Sequence, residues 1–191
     1  MATASSKEVQ RIHPHKFTLW VAMGSIIMMF AGLTSAYIVK KNQANWLEFS
    51  LPLVFWYSTA VILASSLTIH LALKSFKARE MSRYRILITV TALLGVVFMG
   101  LQMLGFYNLE DRNIHLTGPN SNAAPSFLLV ITLLHMVHVL GGVIAILVIF
   151  FRAFNSKFKN YSSVPIEVIS TYWHFVDILW IYLFIFFNWL R

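Results

Sequence analysis

The sequence predicts an all-α integral membrane bundle of five transmembrane helices, and three observations carry that reading. Of its 191 residues, 58% are hydrophobic and 12% charged, with a mean hydropathy of +0.70, more apolar than a soluble domain of this size needs. The apolar residues gather in five runs, each near the roughly 20 residues that cross a 30 Å hydrocarbon core. The 15 Lys and Arg cluster in the short segments between those runs. That placement makes the formal charge of +8 a set of topology signals and not a nucleic-acid surface. There is no cysteine, so disulfides, iron–sulfur clusters and thiolate metal sites are excluded.

Residues 1–16 read as a polar tail carrying Lys7, Arg11 and Lys16, in which His13 and His15 flank Pro14 as solvent-exposed histidines. The first apolar run, Phe17 to Val39, is longer than the roughly 7–15 apolar residues of a cleaved signal peptide and long enough to span. Within it Gly32 with Ala36, and Ala31 with Ser35, are small-xxx-small pairs, which predict a packing helix because small residues let backbones approach closely. With the spans at about 51–73, 86–109, 126–151 and 166–190, residues 17–191 form one five-helix domain. The connections Lys40–Ser50, Lys74–Arg85, Glu110–Pro125 and Arg152–Pro165 are too short to fold alone. Gly118, Pro119, Asn120 and Asn122 mark a loop, while Pro125 and Pro165 stand where they would open the fourth and fifth helices.

The tail and the second and fourth connections hold Lys7, Arg11, Lys16, Lys74, Lys77, Arg79, Arg83, Arg85, Arg152, Lys157 and Lys159. The opposite side holds Lys40, Lys41, Arg112 and Arg191. Basic residues stay on the cytoplasmic side, so this asymmetry predicts the N-terminus inside and the C-terminus outside.

Polar groups inside the spans are the candidate functional residues. If Pro165 opens the last helix, Asp177 lies about 18 Å along it, near the bilayer centre, where a charge costs about 2.5–3.5 kcal/mol and demands a partner. His174 on the same helix, or a histidine of the fourth, is the expected partner. Glu167, His174 and Asp177 share one side of that helix with Ser170 and Thr171. In the second span Ser65, Ser66 and Thr68 suit ordinary packing, and His70 suits a side chain reaching the interface beside Lys74. Gln102 in the third span suits an interhelical hydrogen bond. His135 and His138, three apart, present both imidazoles on one face of the fourth span, with Gly141 and Gly142 beyond. Two readings stand for them: axial ligands of a haem, or polar groups hydrogen-bonded to neighbouring helices. No nucleotide loop and no HExxH zinc motif is present.

These polar residues also fit a family. The run Tyr172-Trp173-His174-Phe175-Val176-Asp177-Ile178-Leu179-Trp180, with Glu167 seven positions before the histidine, resembles the last-helix signature of subunit III of the haem-copper oxidases. His135-Met136-Val137-His138-Val139-Leu140-Gly141 is similar to its HGxHVxxG segment, with Met136 in place of glycine. Leu63 to Thr68 resembles its LLxSSxT segment, and Leu94-Gly95 with Gln102 its LGxxF...Q segment. Three departures accompany the match. The chain resembles the short five-helix bacterial form, which lacks the first two of seven helices and with them one wall of a lipid cleft. Ile26 stands where the family's first-span motif has a glutamate, and Gly105 where another is often found.

The resemblance implies an accessory subunit of a bacterial inner-membrane respiratory oxidase, a cytochrome c oxidase by preference. It implies no catalytic, haem or metal ligand in this chain, with haem and copper in subunits I and II. Packing on subunit I, phospholipid binding, support of proton uptake, protection against turnover-linked inactivation and membership of a larger respiratory supercomplex are expected with it. Glu167, His174, Asp177, His135, His138, Gln102, Ser65 and Ser66 would then be interhelical or lipid-facing polar groups. A quinol oxidase subunit III is the alternative within the family, and a free-standing haem-b membrane cytochrome the alternative outside it.

Overall fold

The structure is a computed structural model that describes residues 14–42, 46–119, 121–154 and 163–190. Five helices account for most of these: α1 (Pro14–Lys41), α2 (Val54–Lys77), α3 (Met81–Asp111), α4 (Ala123–Phe154) and α5 (Val164–Trp189). All five are long and apolar enough to cross a membrane. The side chains of His13 and His15 lie outside the described residues.

Helix boundaries run past the apolar runs wherever the backbone ladder continues into polar residues. α2 reaches Lys77 rather than stopping at 73, and its two terminal lysines sit where the helix dipole is negative. α3 begins at Met81, five residues ahead of its apolar run, because Ser82 to Arg85 are as able to hold helical hydrogen bonds in the interface as in water. Between them only Ala78, Arg79 and Glu80 turn the chain. Glu80 N donates to Ser75 O at 3.0 Å, and Arg79 takes a positive φ of 64°. That is the Schellman closure, here with arginine in the left-handed position where glycine is usual. α3 ends the same way, with Asn113 at φ 59° and Ile114 N donating to Leu109 O at 3.1 Å.

The tight turn makes α2 and α3 an antiparallel pair with the most extensive contact in the molecule. α4 packs on α3, and α5 lies against α1, α2 and α4, whereas α1 touches only α4 and α5. The core between them is aromatic: Phe30, Phe55, Tyr84, Phe98, Trp173 and Trp180 are all essentially inaccessible. The starts of α1, α3 and α5 and the ends of α2 and α4 share one end of the bundle, the end rich in Lys and Arg. At the other, exposed Trp56, Tyr57, Tyr107 and Trp189 supply the amphipathic rings of an interfacial belt.

α1 does not pack as its small residues suggest. Ala31, Gly32, Ser35 and Ala36 are all exposed, and nothing lies within 4 Å of a Cβ built on Gly32. The contacts come instead from the opposite stripe of Met23, Phe30, Thr34 and Tyr37, whose large side chains hold the backbone away from its neighbours. Small pairs give a helix the capacity for close approach; among the described residues no partner uses it.

Candidate functional site

The polar residues converge on α5, and the largest side chain there organises them. Trp173 reaches between α3 and α4 into a slot that exists because two glycines face it. A Cβ on Gly95 would meet the indole at 2.8 Å, and one on Gly142 would meet it at 2.9 Å. No other residue type leaves room there, so the two glycines are required by close approach and not by backbone conformation. Trp173 Nε1 donates to Ser65 Oγ on α2 at 2.8 Å, which satisfies the indole N–H in a site without water. One side chain thus ties α5 to α2, α3 and α4.

Around this hub each polar group pairs with a neighbouring helix or with its own. Ser66 Oγ and His174 Nδ1 are 2.7 Å apart, joining α2 to α5. The His174 ring lies 6.2 Å from that of His70, which is exposed on α2. Tyr172 Oη donates to the carbonyl of His138 at 3.0 Å, and His138 Nδ1 lies 2.6 Å from Leu134 O one turn back on α4. Gln102 Nε2 donates to Ser58 Oγ at 3.0 Å, linking α3 to α2. Trp180 Nε1 donates to Thr59 Oγ1 at 3.0 Å. On the α1 side, the hydroxyls of Thr34 and Tyr182 are 3.1 Å apart.

Glu167 works at the basic end. Its carboxylate takes Lys16 of α1 at 3.0 Å and Lys77 of α2 at 3.1 Å, so one acid gathers three helix ends. The pair distances suit charge-assisted hydrogen bonds, although the lysines remain substantially exposed, which limits their worth to about 1 kcal/mol each or less.

Two titratable residues stand apart. Asp177 is buried, and neither carboxyl oxygen has a hydrogen-bond partner among the described residues. His174, the partner anticipated for it, turns instead to Ser66, and the α4 histidines do not bond to it either. His135 is completely buried with both ring nitrogens unpaired, stacked on Trp180 at 5.3 Å and flanked edge-on by Phe98 and Phe30. Its environment is a box of aromatic rings, so a porphyrin on this imidazole would have to displace Trp180. His138 points its Nδ1 at its own backbone, and the two histidines do not act as a pair. Among the described residues no three of His, Asp or Glu come together as a metal ion requires.

Sequence reasoning singled out Ser65, Ser66 and Gln102, met Trp173 and Trp180 only within the family signature and Lys16 and Lys77 only as topology signals, and missed Ser58 and Thr59. The available signal for Trp173 was Gly95 and Gly142 in two different apolar spans: glycine is costly in a helix unless something approaches it.

The sequence is similar to known proteins along most of its length. The sequence profile of the family described as cytochrome c oxidase subunit III matches residues 43–191. A probable cytochrome c oxidase subunit 3 of Nocardia farcinica is 33% identical, covering 96% of this chain and 95% of that protein. The cytochrome c oxidase subunit 3 of Bacillus sp. strain PS3 is 29% identical over 86% of this chain and 80% of its own length. A cytochrome bo(3) ubiquinol oxidase subunit 3 of Buchnera aphidicola is 30% identical over 89% of this chain and 83% of that protein.

Proposed function

This chain belongs to the cytochrome c oxidase subunit III family, and from that premise we propose how it serves its oxidase: as a helical scaffold that performs no chemical step itself. It is a multi-pass membrane protein and an accessory subunit of a terminal respiratory oxidase, an oxidoreductase complex. The observation that carries the scaffold reading is the use to which the polar residues are put. Ser65, Ser66, Gln102, His174 and Glu167 each bond to a neighbouring helix.

In this reading subunits I and II carry the haem and copper, cytochrome c is the electron donor, and the chain lies in the bacterial inner membrane with its basic end cytoplasmic. The face that packs on subunit I is the seam of α5 between α1 and α2. Thr171, Ile178 and Ile185 are exposed there, beside His174 and the exposed His70, and α1 and α2 do not touch across it. Imidazoles and hydroxyls at membrane depth are costly against lipid tails, so a protein surface opposite them is favoured. Bound phospholipid, support of proton uptake and longer life under turnover follow from covering the flank of subunit I. The described residues form one bundle.

The test is a pair of variants in the purified oxidase. His174→Leu strips Ser66 of its partner and removes polarity from the seam; Asp177→Asn removes the ionisable carboxyl and keeps its shape. We expect His174→Leu to lower the amount of this chain copurifying with subunit I, while initial oxygen reduction stays within a few-fold and decays faster with use. Asp177→Asn should be milder. A variant that keeps full occupancy yet loses nearly all initial oxygen reduction would place this stripe in catalysis and overturn the scaffold reading.

A further inference from the structure

We propose that the groove between the end of α2 and the start of α3 binds the headgroup of an anionic phospholipid, with Lys74 and Arg83 holding its phosphate. This deepens the lipid-binding part of the function proposed above, on which it rests, by giving it a place and a lipid class. The groove has a volume of about 370 Å³ and is lined by Leu71, Lys74, Ser75, Ala78, Glu80, Arg83 and Leu87.

Its layering matches an amphiphile. α2 runs toward the basic end and α3 runs away from it, so on each helix the membrane interior lies in a known direction along the sequence. Leu71 is three residues deeper than Lys74, and Leu87 four residues deeper than Arg83. At roughly 1.5 Å per residue the two leucines therefore sit about 4.5–6 Å below the two bases. A cation with a leucine one turn beneath it, repeated on both walls, offers charge at headgroup level and apolar surface where acyl chains begin. Ser75 adds a hydroxyl to the polar layer, and Ala78 leaves the mouth open. The layering is the same whichever side of the membrane the basic end faces.

The charges are available for a ligand. Lys74 is exposed and makes no ion pair among the described residues, in contrast to Lys77 three positions on, which is held by Glu167. Arg83 donates through Nη1 to Glu80 at 3.2 Å, an exposed contact that orients the guanidinium and uses part of its donor fork. One carboxylate against two cations leaves the groove net positive, which favours an anionic headgroup over a zwitterionic one. Basic pockets between membrane helices recognise phospholipid headgroups in this way.

The experiment uses the intact oxidase in mild detergent, with phosphatidylglycerol carrying a photoreactive group early in one acyl chain, and maps the labelled peptides. Label is expected on the segment from residue 71 to residue 87, at least about fivefold above that from phosphatidylcholine of the same chains, since each basic contact is worth about fivefold in binding. Lys74→Gln with Arg83→Gln should reduce it more than tenfold, while Lys40→Gln with Lys41→Gln at the opposite end should leave it within twofold. Inorganic phosphate at millimolar concentration should not compete; competition would mark a soluble-anion site and overturn the proposal. Label elsewhere on the chain with none in this segment, equal labelling by the two lipids, or labelling that survives the double variant would sink the proposed place and class alone. No label anywhere on the chain would sink the lipid-binding reading with it.

Discussion

α1 and α5 are both single membrane-spanning helices of similar length, yet they stand at opposite extremes of this bundle. In its most apolar stretch α5 is 44% buried and α1 only 17%. α5 touches three helices and reaches a fourth through Trp173; α1 leans on two along one stripe and exposes the rest. Hydropathy cannot cause the difference, because α1 is as apolar there as α5, at 1.8 against 1.5. In a lipid solvent apolar surface has no reason to hide, so burial follows the shape of the neighbours and the polar groups that need partners. α5 supplies a large ring for a glycine slot and indole N–H, imidazole and carboxylate groups for α2; α1 supplies one buried hydroxyl, Thr34.

The comparison breaks most visibly at the two tryptophans. Trp173→Ala should destabilise the chain by about 3–5 kcal/mol, the range for an aromatic deleted from a packed site, whereas exposed Trp20→Ala should stay within about 0.5 kcal/mol. Thermal release of the subunit from the detergent-solubilised oxidase reads both, and similar midpoints for the two would show that α5 is not the hub. The glycines come next. Gly95→Ala or Gly142→Ala forces a methyl into the indole and should cost about 1–3 kcal/mol, while Gly32→Ala meets nothing and should be neutral or stabilising by about 0.5–1 kcal/mol. An equal penalty at Gly32 in the intact complex, absent from the isolated chain, would reveal a partner on the exposed small-residue face.

Hydroxyls give a smaller contrast. Ser65→Ala leaves the Trp173 N–H unpaired in a dry core and should cost about 1–2 kcal/mol; Ser25→Ala on α1 removes only a bond to Val21 O of its own helix and should be barely measurable. The least effect is expected at the charges. Lys77→Gln should weaken the α2–α5 junction by about 1 kcal/mol or less, and the deficit against the unaltered protein should fade as salt rises from 0.05 to about 1 M. A deficit that persists unchanged at high salt would mean that Glu167 is held by packing and not by charge.

Why some of this was legible in the sequence and some was not follows from the same physics. Five helices could be read because crossing a bilayer requires long apolar runs, whatever they pack against. Their ends ran further than the apolar runs, as at Met81 and Lys77, because polar residues continue a helix into the interface. Ser65, Ser66 and Gln102 stood out as polar residues in apolar surroundings, but which helix each would meet depends on the rotation of helices about their axes, which local spacing does not encode. Asp177 and His174 share a helix face, and His174 nevertheless turns to Ser66, because α2 presents a hydroxyl at bonding distance. Trp173 hid in plain view: among 16 Phe, 7 Tyr and 6 Trp no single ring announces itself, and only the glycines opposite make it special.

The slot for Trp173 also bears on the order in which the bundle can be built. A chain is made from its N-terminal end, and the walls of the slot, Gly95 and Gly142, enter the membrane before the ring that fills them. α2 and α3 can pair at once, joined by a three-residue turn, and α4 can join α3. α1, though made first, finds no partner until α4 arrives and is fully seated only with α5. Closure is therefore a late event in which α5 docks and completes the seating of α1, the second stage of a two-stage assembly. Until then the glycine slot is an unfilled gap between α3 and α4, and the ring that fills it comes from the last helix to be made.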